Sequence, residues 1–489
     1  MRSFLRLVDR PVVALAAVAL VAAVPRFWDL DRPSGRVFDE VYYSKAGCLF
    51  VGKPPSACGI ASDAERYWVR TKHDVGSWVH PPLGKWAIGL GELAFGADAL
   101  GWRVAPAVAG TLTAVLTAAI ALLLFGEPRW AFVAGLLLAA EHLSFVQSRV
   151  AMLDVFVALW TVAAFLFLLL DRRWILRRTP RPAPIAGGAG TGLEAPPEPA
   201  PAPPAGRVPS PLIRPWRIAA GLALGAAVAT KWSGLSAIVG VTALSVAWEV
   251  SRRRAAGVRR AVWRAVQQEG FPLVLSFLVV PAAVYVASYA GWFARFGLDP
   301  GAWIRLQDEM ASYHLTLRYT DASGEPIHPY LSHAWQLILD WRPVLYYARY
   351  PTPGIRRVIY AIGNPAIFWG SLLAIPYAAW AWIRRGDGRA AFVAVAALSL
   401  YLPWFLVSRP QFLFYMTPVV PFLVLAVTYA LRDLARARLA GSRAHPWRPV
   451  AVAFVALSVG LFLFFWPVLT ARPITDAAFE LRSWFPTWV

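Results

Sequence analysis

Asp39 and Glu40 stand side by side in Phe38-Asp39-Glu40-Val41-Tyr42-Tyr43. Such a pair can supply a base that takes a proton from a nucleophile, with a neighbour that orients it. Single cations recur at intervals along the chain, each embedded in Trp, Pro, Gly or Ser. They are Arg26 in Arg26-Phe27-Trp28, Lys85 closing His80-Pro81-Pro82-Leu83-Gly84-Lys85, Arg103, and Arg149 after Ser148. Lys231 in Thr230-Lys231-Trp232-Ser233-Gly234 and Arg409 in Ser408-Arg409-Pro410-Gln411 complete the set. Positioned guanidinium and ammonium groups neutralise charge that develops on an anionic leaving group. Asp154, a carboxylate at the head of an apolar run, wants a cationic partner, and Arg149 is close by in sequence. Each element also has a plainer reading. An Asp-Glu pair on a loop is usually solvated surface, His80 before two prolines suits a rigid turn, and Arg103, Arg149 and Arg409 could anchor helix ends to headgroups.

The elements that must position these residues are membrane helices. The chain has 489 residues, 58% of them hydrophobic and 16% charged, too apolar for ordinary soluble domains. Its apolar residues fall in blocks of about twenty, the length that crosses a hydrocarbon core of roughly 30 Å. We place eleven spans: Pro11–Val24, Leu100–Phe125, Trp130–Val146, Ala151–Leu170, Trp216–Thr230, Leu235–Val250, Phe271–Tyr289, Val358–Trp382, Ala390–Val407, Phe412–Leu431 and Val450–Trp466. The chain thus reads as an all-α polytopic membrane protein.

Arginine sets the orientation. With Arg2, Arg6 and Arg10 inside, the clusters at Arg172-Arg173, Arg252-Arg253-Arg254, Arg384-Arg385 and Arg432 through Arg448 also fall inside, as the positive-inside rule requires. The topology is N-in, C-out. A cleaved signal peptide is the alternative for Met1–Pro25, but Ala22-Ala23-Val24-Pro25 is a poor cleavage site. Residues 1–178 form one transmembrane module and 216–489 a second. The Pro/Ala/Gly-rich segment 179–215 reads as a disordered cytoplasmic linker between them. Two long outside loops, 25–99 and 291–357, leave room for a polar site.

All the short polar motifs fall on the outer face. So do the five lysines, Lys45, Lys53, Lys72, Lys85 and Lys231, against the positive-inside trend. That predicts a cationic outer pocket for an anionic ligand such as a lipid phosphate. The net charge of +20 reflects basic inner loops meeting anionic headgroups rather than nucleic acid, for which no binding signature exists. No Gly-x-Gly-x-x-Gly or Walker pattern and no zinc-spaced His/Cys cluster is found, so no tightly bound cofactor is predicted. A divalent ion at the Asp-Glu pair is left open. A transporter would need ionisable groups at mid-membrane, which the motif positions do not supply. Cys48 and Cys58, the two cysteines of the chain, share the first outside loop and are predicted to form a disulfide.

The ordered set Asp39-Glu40, His80 to Lys85, Ser148-Arg-Val-Ala-Met-Leu-Asp154, Thr230 to Gly234 and Arg342-Pro-Val-Leu-Tyr-Tyr347 resembles the protein O-mannosyltransferase family. The likeness runs from about Arg26 to Gln411. It implies the GT-C fold and inverting transfer of mannose from polyprenyl-phosphate-mannose to Ser or Thr of secreted proteins, at the outer face of the plasma membrane. It also implies the Sec translocon as a partner. The loop 291–357 is too short for the β-trefoil domain of eukaryotic members, so the chain is similar to the shorter actinobacterial type. On this resemblance Asp39 is the base and Glu40 orients the loop or binds acceptor backbone. Arg26, Lys85, Arg103, Arg149, Lys231 and Arg409 are candidates for the phosphate, with His80, Asp154 and Gln411 in the substrate site. The rival assignment is another GT-C transferase acting on a lipid or glycan acceptor.

Overall fold

The computed structural model describes residues 9–60, 78–178, 211–321, 323–438 and 444–488. Arg2, Arg6, Lys72 and residues 179–210 of the linker lie outside the described residues. The chain is mostly helical. It opens with α1 (Pro11–Phe27), α2 (Glu40–Phe50), α3 (Leu83–Phe95), α4 (Ala99–Phe125), α5 (Pro128–Ala139), α6 (His142–Gln147) and α7 (Asp154–Arg178). The second half carries α8 (Pro215–Thr230), α9 (Leu235–Ala255), α10 (Ala261–Ser288), α11 (Ala290–Phe296) and α12 (Pro300–Thr316). A β-hairpin follows, β1 (Val344–Thr352) and β2 (Ile355–Ala361), then α13 (Pro365–Arg385), α14 (Gly388–Tyr401), α15 (Val420–Arg436) and α16 (Arg448–Leu469).

Among the described residues, seven helices are long and apolar enough to cross a membrane, namely α4, α7, α9 with the turn before it, α10, α13, α14 with its 3-10 extension, and α16. Pro11–Phe27 and Pro128–Ala139 are shorter apolar helices. Many apolar side chains on the outside of the bundle, such as Leu373, Ile383, Val452 and Leu463, are exposed. That is the pattern of helices solvated by lipid on one face and packed on the other.

The chain is not purely helical. β1, β2 and the short β3 (Ile474–Thr475) form an antiparallel sheet in the order β1-β2-β3. Pro353-Gly354 makes the hairpin turn, with Gly354 at φ +77°, where a side chain would be strained. β2 therefore occupies what the hydropathy walk assigned to the start of the span Val358–Trp382. The helix begins only at Pro365, where the Asn364 side chain accepts from Ala366 N at 3.1 Å.

Two other spans are shorter than hydropathy suggested. Trp130–Val146 breaks after Ala139, because the buried Glu141 carboxylate caps α6 through Leu143 N and Ser144 N and takes a third bond from Asn364 N. Phe412–Leu431 starts its α-helix only at Val420, after a 3-10 turn over Leu413–Met416. At the far end of the linker, Arg214 and Pro215 are not loose chain. Pro215 is the first residue of α8, and the buried Arg214 guanidinium pairs with Asp171 of α7 and with Glu249 of α9 at 2.6 Å.

Candidate active site

Asp39 is the residue before α2, and the geometry around it is closely held. Phe38 has φ +49°, a left-handed conformation costing about 1–3 kcal/mol for a side-chain-bearing residue. Stacking of its ring on Tyr346 of β1, with centroids 4.3 Å apart, holds it there, with Phe414 at its edge. The helix behind buries one face, Glu40, Tyr43, Ser44 and Gly47, at helical spacing. It crosses α3 at a pair of glycines. A Cβ on Gly89 would lie 2.3 Å from the Gly47 carbonyl oxygen, so no other residue permits this approach. Cys48 and Cys58 are disulfide-bonded with Cα atoms 5.6 Å apart, inside the range such a bridge requires. Arg36 ties that loop back by donating to Ser44 Oγ at 2.7 Å and to the Cys58 carbonyl at 2.8 Å.

The residues singled out in the sequence divide into two groups. The first is spent on shape. Glu40, fully buried, accepts from Val37 N, Ala151 N and Arg103, so both its oxygens are occupied. It cannot take a proton from an acceptor, and the Asp39-Glu40 pair as folded does not present two open carboxylates to a divalent ion. Arg103 uses all five N–H groups, two on Glu40 and three on the carbonyls of Leu30, Pro33 and Gly35. Nothing is left for a phosphate. Arg149 donates to the carbonyls of Pro25, Arg26, Trp28 and Asp29, clamping the exit of α1. Arg26 is fully buried, donating from its terminal nitrogens to Ala22 O and Ser144 Oγ, with Nε unpartnered among the described residues. Gln411 donates from its side-chain amide to the carbonyls of Trp404 and Val407, and its main-chain carbonyl accepts from Ser332 N, while Oε1 has no partner among the described residues. Lys85 is buried with its ammonium 5.6 Å from the Phe50 ring centroid.

The second group meets around Asp39. Lys231, where α8 ends, donates to both oxygens of Asp154 at 2.9 Å, so the cationic partner of Asp154 is Lys231 rather than Arg149. The Lys231 ammonium also lies 4.8 Å from the Tyr415 ring centroid. Arg409 reaches the same tyrosine by donating from Nη2 to its hydroxyl at 3.0 Å, and its Nη1 meets His314 Nδ1 at 2.6 Å. His80 stacks on His314 with centroids 5.3 Å apart. Burial pushes the Asp39 carboxyl up to about 6. The Lys231 charge opposes that, the Asp154 charge adds to it, and a 3.4 Å hydrogen bond from Tyr43 to Oδ2 opposes it. A carboxylate poised there accepts a proton readily near neutral pH. Burial, then Lys231 and His314, hold His80 well below its usual value, so it is neutral.

Tyr43, His314 and Tyr415 have no role in the sequence reading, and Tyr346 is there only as part of a motif. The one signal was placement, a histidine in an outer loop and a tyrosine shortly after Arg409. A cavity of about 490 Å³ opens between α2, α3 and α11, lined by Phe50, Lys53, Trp86, Tyr289, Trp292 and Arg295 among others, but Asp39, Lys231 and Arg409 do not line it.

Known proteins were compared with this chain. Residues 301–488 match the C-terminal four-transmembrane region of protein-O-mannosyltransferase, and residues 74–180 match dolichyl-phosphate-mannose-protein mannosyltransferase. The polyprenol-phosphate-mannose–protein mannosyltransferase of Mycolicibacterium smegmatis is 30% identical over 97% of this chain and 92% of its own length. The chain belongs to the protein O-mannosyltransferase family. It is therefore a glycosyltransferase. A second member of the family, from Corynebacterium glutamicum, is 30% identical over 97% of this chain and 92% of its own. Among solved structures, the yeast Pmt1-Pmt2 complex bound to its sugar donor matches with a TM-score of 0.73 at 14% identity, covering 100% of this chain and 94% of that one. ArnT from Cupriavidus metallidurans, bound to undecaprenyl phosphate, matches at 0.52 with 18% identity, covering 94% and 74%. The architecture is that of the GT-C glycosyltransferases.

Proposed function

We propose that this mannosyltransferase takes mannose from polyprenyl-phosphate-mannose and places it, with inversion, on Ser or Thr hydroxyls of secreted polypeptides. The observation that carries the reading is the juxtaposition of Asp39, poised near neutrality, with the Lys231–Asp154 pair and Arg409. Asp39 accepts the hydroxyl proton as the acceptor oxygen bonds to the anomeric carbon. The bond from that carbon to the phosphate oxygen breaks, and its electron pair leaves on the phosphate. Lys231 and Arg409, joined through Tyr415, are the cations placed to stabilise that charge. Asp154 keeps Lys231 in position and, with His80, faces the sugar. Glu40 and Arg103 hold the loop on which Asp39 sits. No glycosyl-enzyme is needed for a single displacement.

Eleven crossings, N-in and C-out, put the site at the exoplasmic face of the plasma membrane, where polypeptides leave the Sec translocon. The dense arginine clusters on the other side support that orientation.

The test incubates membranes holding the protein with polyprenyl-phosphate carrying labelled mannose and a Ser/Thr-rich peptide. Label should enter the peptide and be released by base-catalysed elimination. Label entering only a lipid or glycan acceptor would overturn the assignment of acceptor.

A further inference from the structure

α12 lies in the second outer loop, and His314 in its last turn reaches into the site. Two hydrogen bonds determine its state. Nε2 lies 2.8 Å from the Val79 carbonyl, which can only accept, so Nε2 carries the proton. Nδ1 lies 2.6 Å from Arg409 Nη1, which can only donate, so Nδ1 offers its lone pair. The ring is therefore neutral, and burial together with the Arg409 charge, holding its pKa down to about 4, agrees. Trp232 lies against the ring at 5.9 Å and His80 stacks on it, so it has little freedom to turn.

The consequence falls on Arg409. One terminal nitrogen is held by His314 and the other by Tyr415, whose ring also faces Lys231. The remaining Nε–H is buried without a partner among the described residues, and so is Nδ1 of His80. Buried polar atoms are rarely left unpaired, and these two belong to one connected group, His80 stacked on His314 and His314 bonded to Arg409. Guanidinium groups on soft side chains must be fixed before they can meet a phosphate with one particular N–H.

We infer that His314 is a positioning residue that fixes Arg409, through Nδ1, so that the unpartnered Nε–H of Arg409 and His80, in the tautomer with its proton on Nδ1, donate to the phosphate of the lipid donor. The inference rests on the proposed use of a phosphate-linked lipid and adds to it. The second outer loop, short as it is, completes the phosphate site.

The test uses the full-length protein in nanodiscs, with sugar-free polyprenyl phosphate as the probe for binding and the mannosyl lipid for kinetics. His314→Leu should raise the carrier Kd and the donor KM about tenfold, the weight of one hydrogen bond to a charged group, while kcat changes little. His314→Gln, which can still donate to Val79 but lacks an acceptor at the Nδ1 position, should match His314→Leu. His314→Asn, whose amide oxygen can stand where Nδ1 stood, should recover most of the affinity. In an Arg409→Ala background His314→Leu should add nothing. Losses that multiply in the double variant, or an Asn variant that folds and binds no better than Gln, would overturn the inference. Carrier binding with this coupling but without mannose transfer would overturn the proposed function and leave the inference standing. Absence of carrier binding by the wild-type protein would overturn both.

Discussion

The bundle holds two buried ionic clusters, one at each end. Asp154 and Asp171 begin and nearly end the same helix, α7, about 25 Å apart at 1.5 Å per residue. At the Asp171 end, Arg214, Arg217, Arg252 and Arg253 surround Asp171, Glu249 and Glu269. Every carboxylate oxygen there faces a guanidinium, including the Asp171–Arg214 fork and Glu269 between Arg217 and Arg253. At the other end, Asp39 has one side-chain hydrogen bond among the described residues, at 3.4 Å. Burial and charge are alike in the two places. What separates a clamp from a reaction site is how many carboxylate oxygens are already taken, since a satisfied carboxylate has nothing left for a ligand and an unsatisfied one is costly until a ligand arrives.

The comparison is broken most severely by Asp39→Asn. Transfer should slow by roughly 10²–10⁴ while folding and carrier binding persist, because only the base is lost. The wild-type rate should fall as pH drops through about 6, where burial has placed the Asp39 carboxyl, and hold level above it. The Asn variant should lose this acid limb. A near wild-type rate in Asp39→Asn would remove Asp39 as the base.

Truncating one cation at each end sharpens the contrast. Arg214→Ala strands Asp171 in the interior and should cost stability on the order of 3–5 kcal/mol, leaving donor KM of the folded protein unchanged. Lys231→Ala strands Asp154 as well, yet should also weaken donor use. Thermal unfolding with donor titration reads both, and equal kinetic behaviour of the two variants would erase the distinction.

The smallest effect is expected from the disulfide. Removing the Cys48–Cys58 bridge with Cys48→Ala and Cys58→Ala should lower stability by about 3 kcal/mol at most, since the closed loop is short. Carrier affinity should stay the same, because Lys231 and Arg409 are held by other elements. A lost carrier affinity at unchanged stability would tie the loop to the phosphate instead.

Much of the site is legible in residue order. Asp39, His80, Asp154, Lys231 and Arg409 lie far apart in the chain, and all meet at one end of the bundle. The cysteine pairing was legible as well, because both residues share one loop. Arg103 and Arg149 were not legible as scaffold. An arginine beside tryptophan and glycine looks the same whether its N–H groups meet a phosphate or the carbonyls of residues 68–124 positions away. The hairpin was hidden for a different reason. Val358 through Ile362 is apolar and runs into an apolar helix, so a hydropathy window joined them, though Pro353-Gly354 was a turn signal within it.

Hydropathy, charge sign and motif order are sums along the chain. They sufficed to show a many-helix membrane protein, its family by resemblance and the residues worth watching. Whether a given polar atom is spent or available depends on partners that folding brings together from distant segments. Only the tertiary structure could give Glu40 the loop-holding role of its two, move Arg103 from substrate to scaffold, pair Lys231 with Asp154, and bring His314 to Arg409.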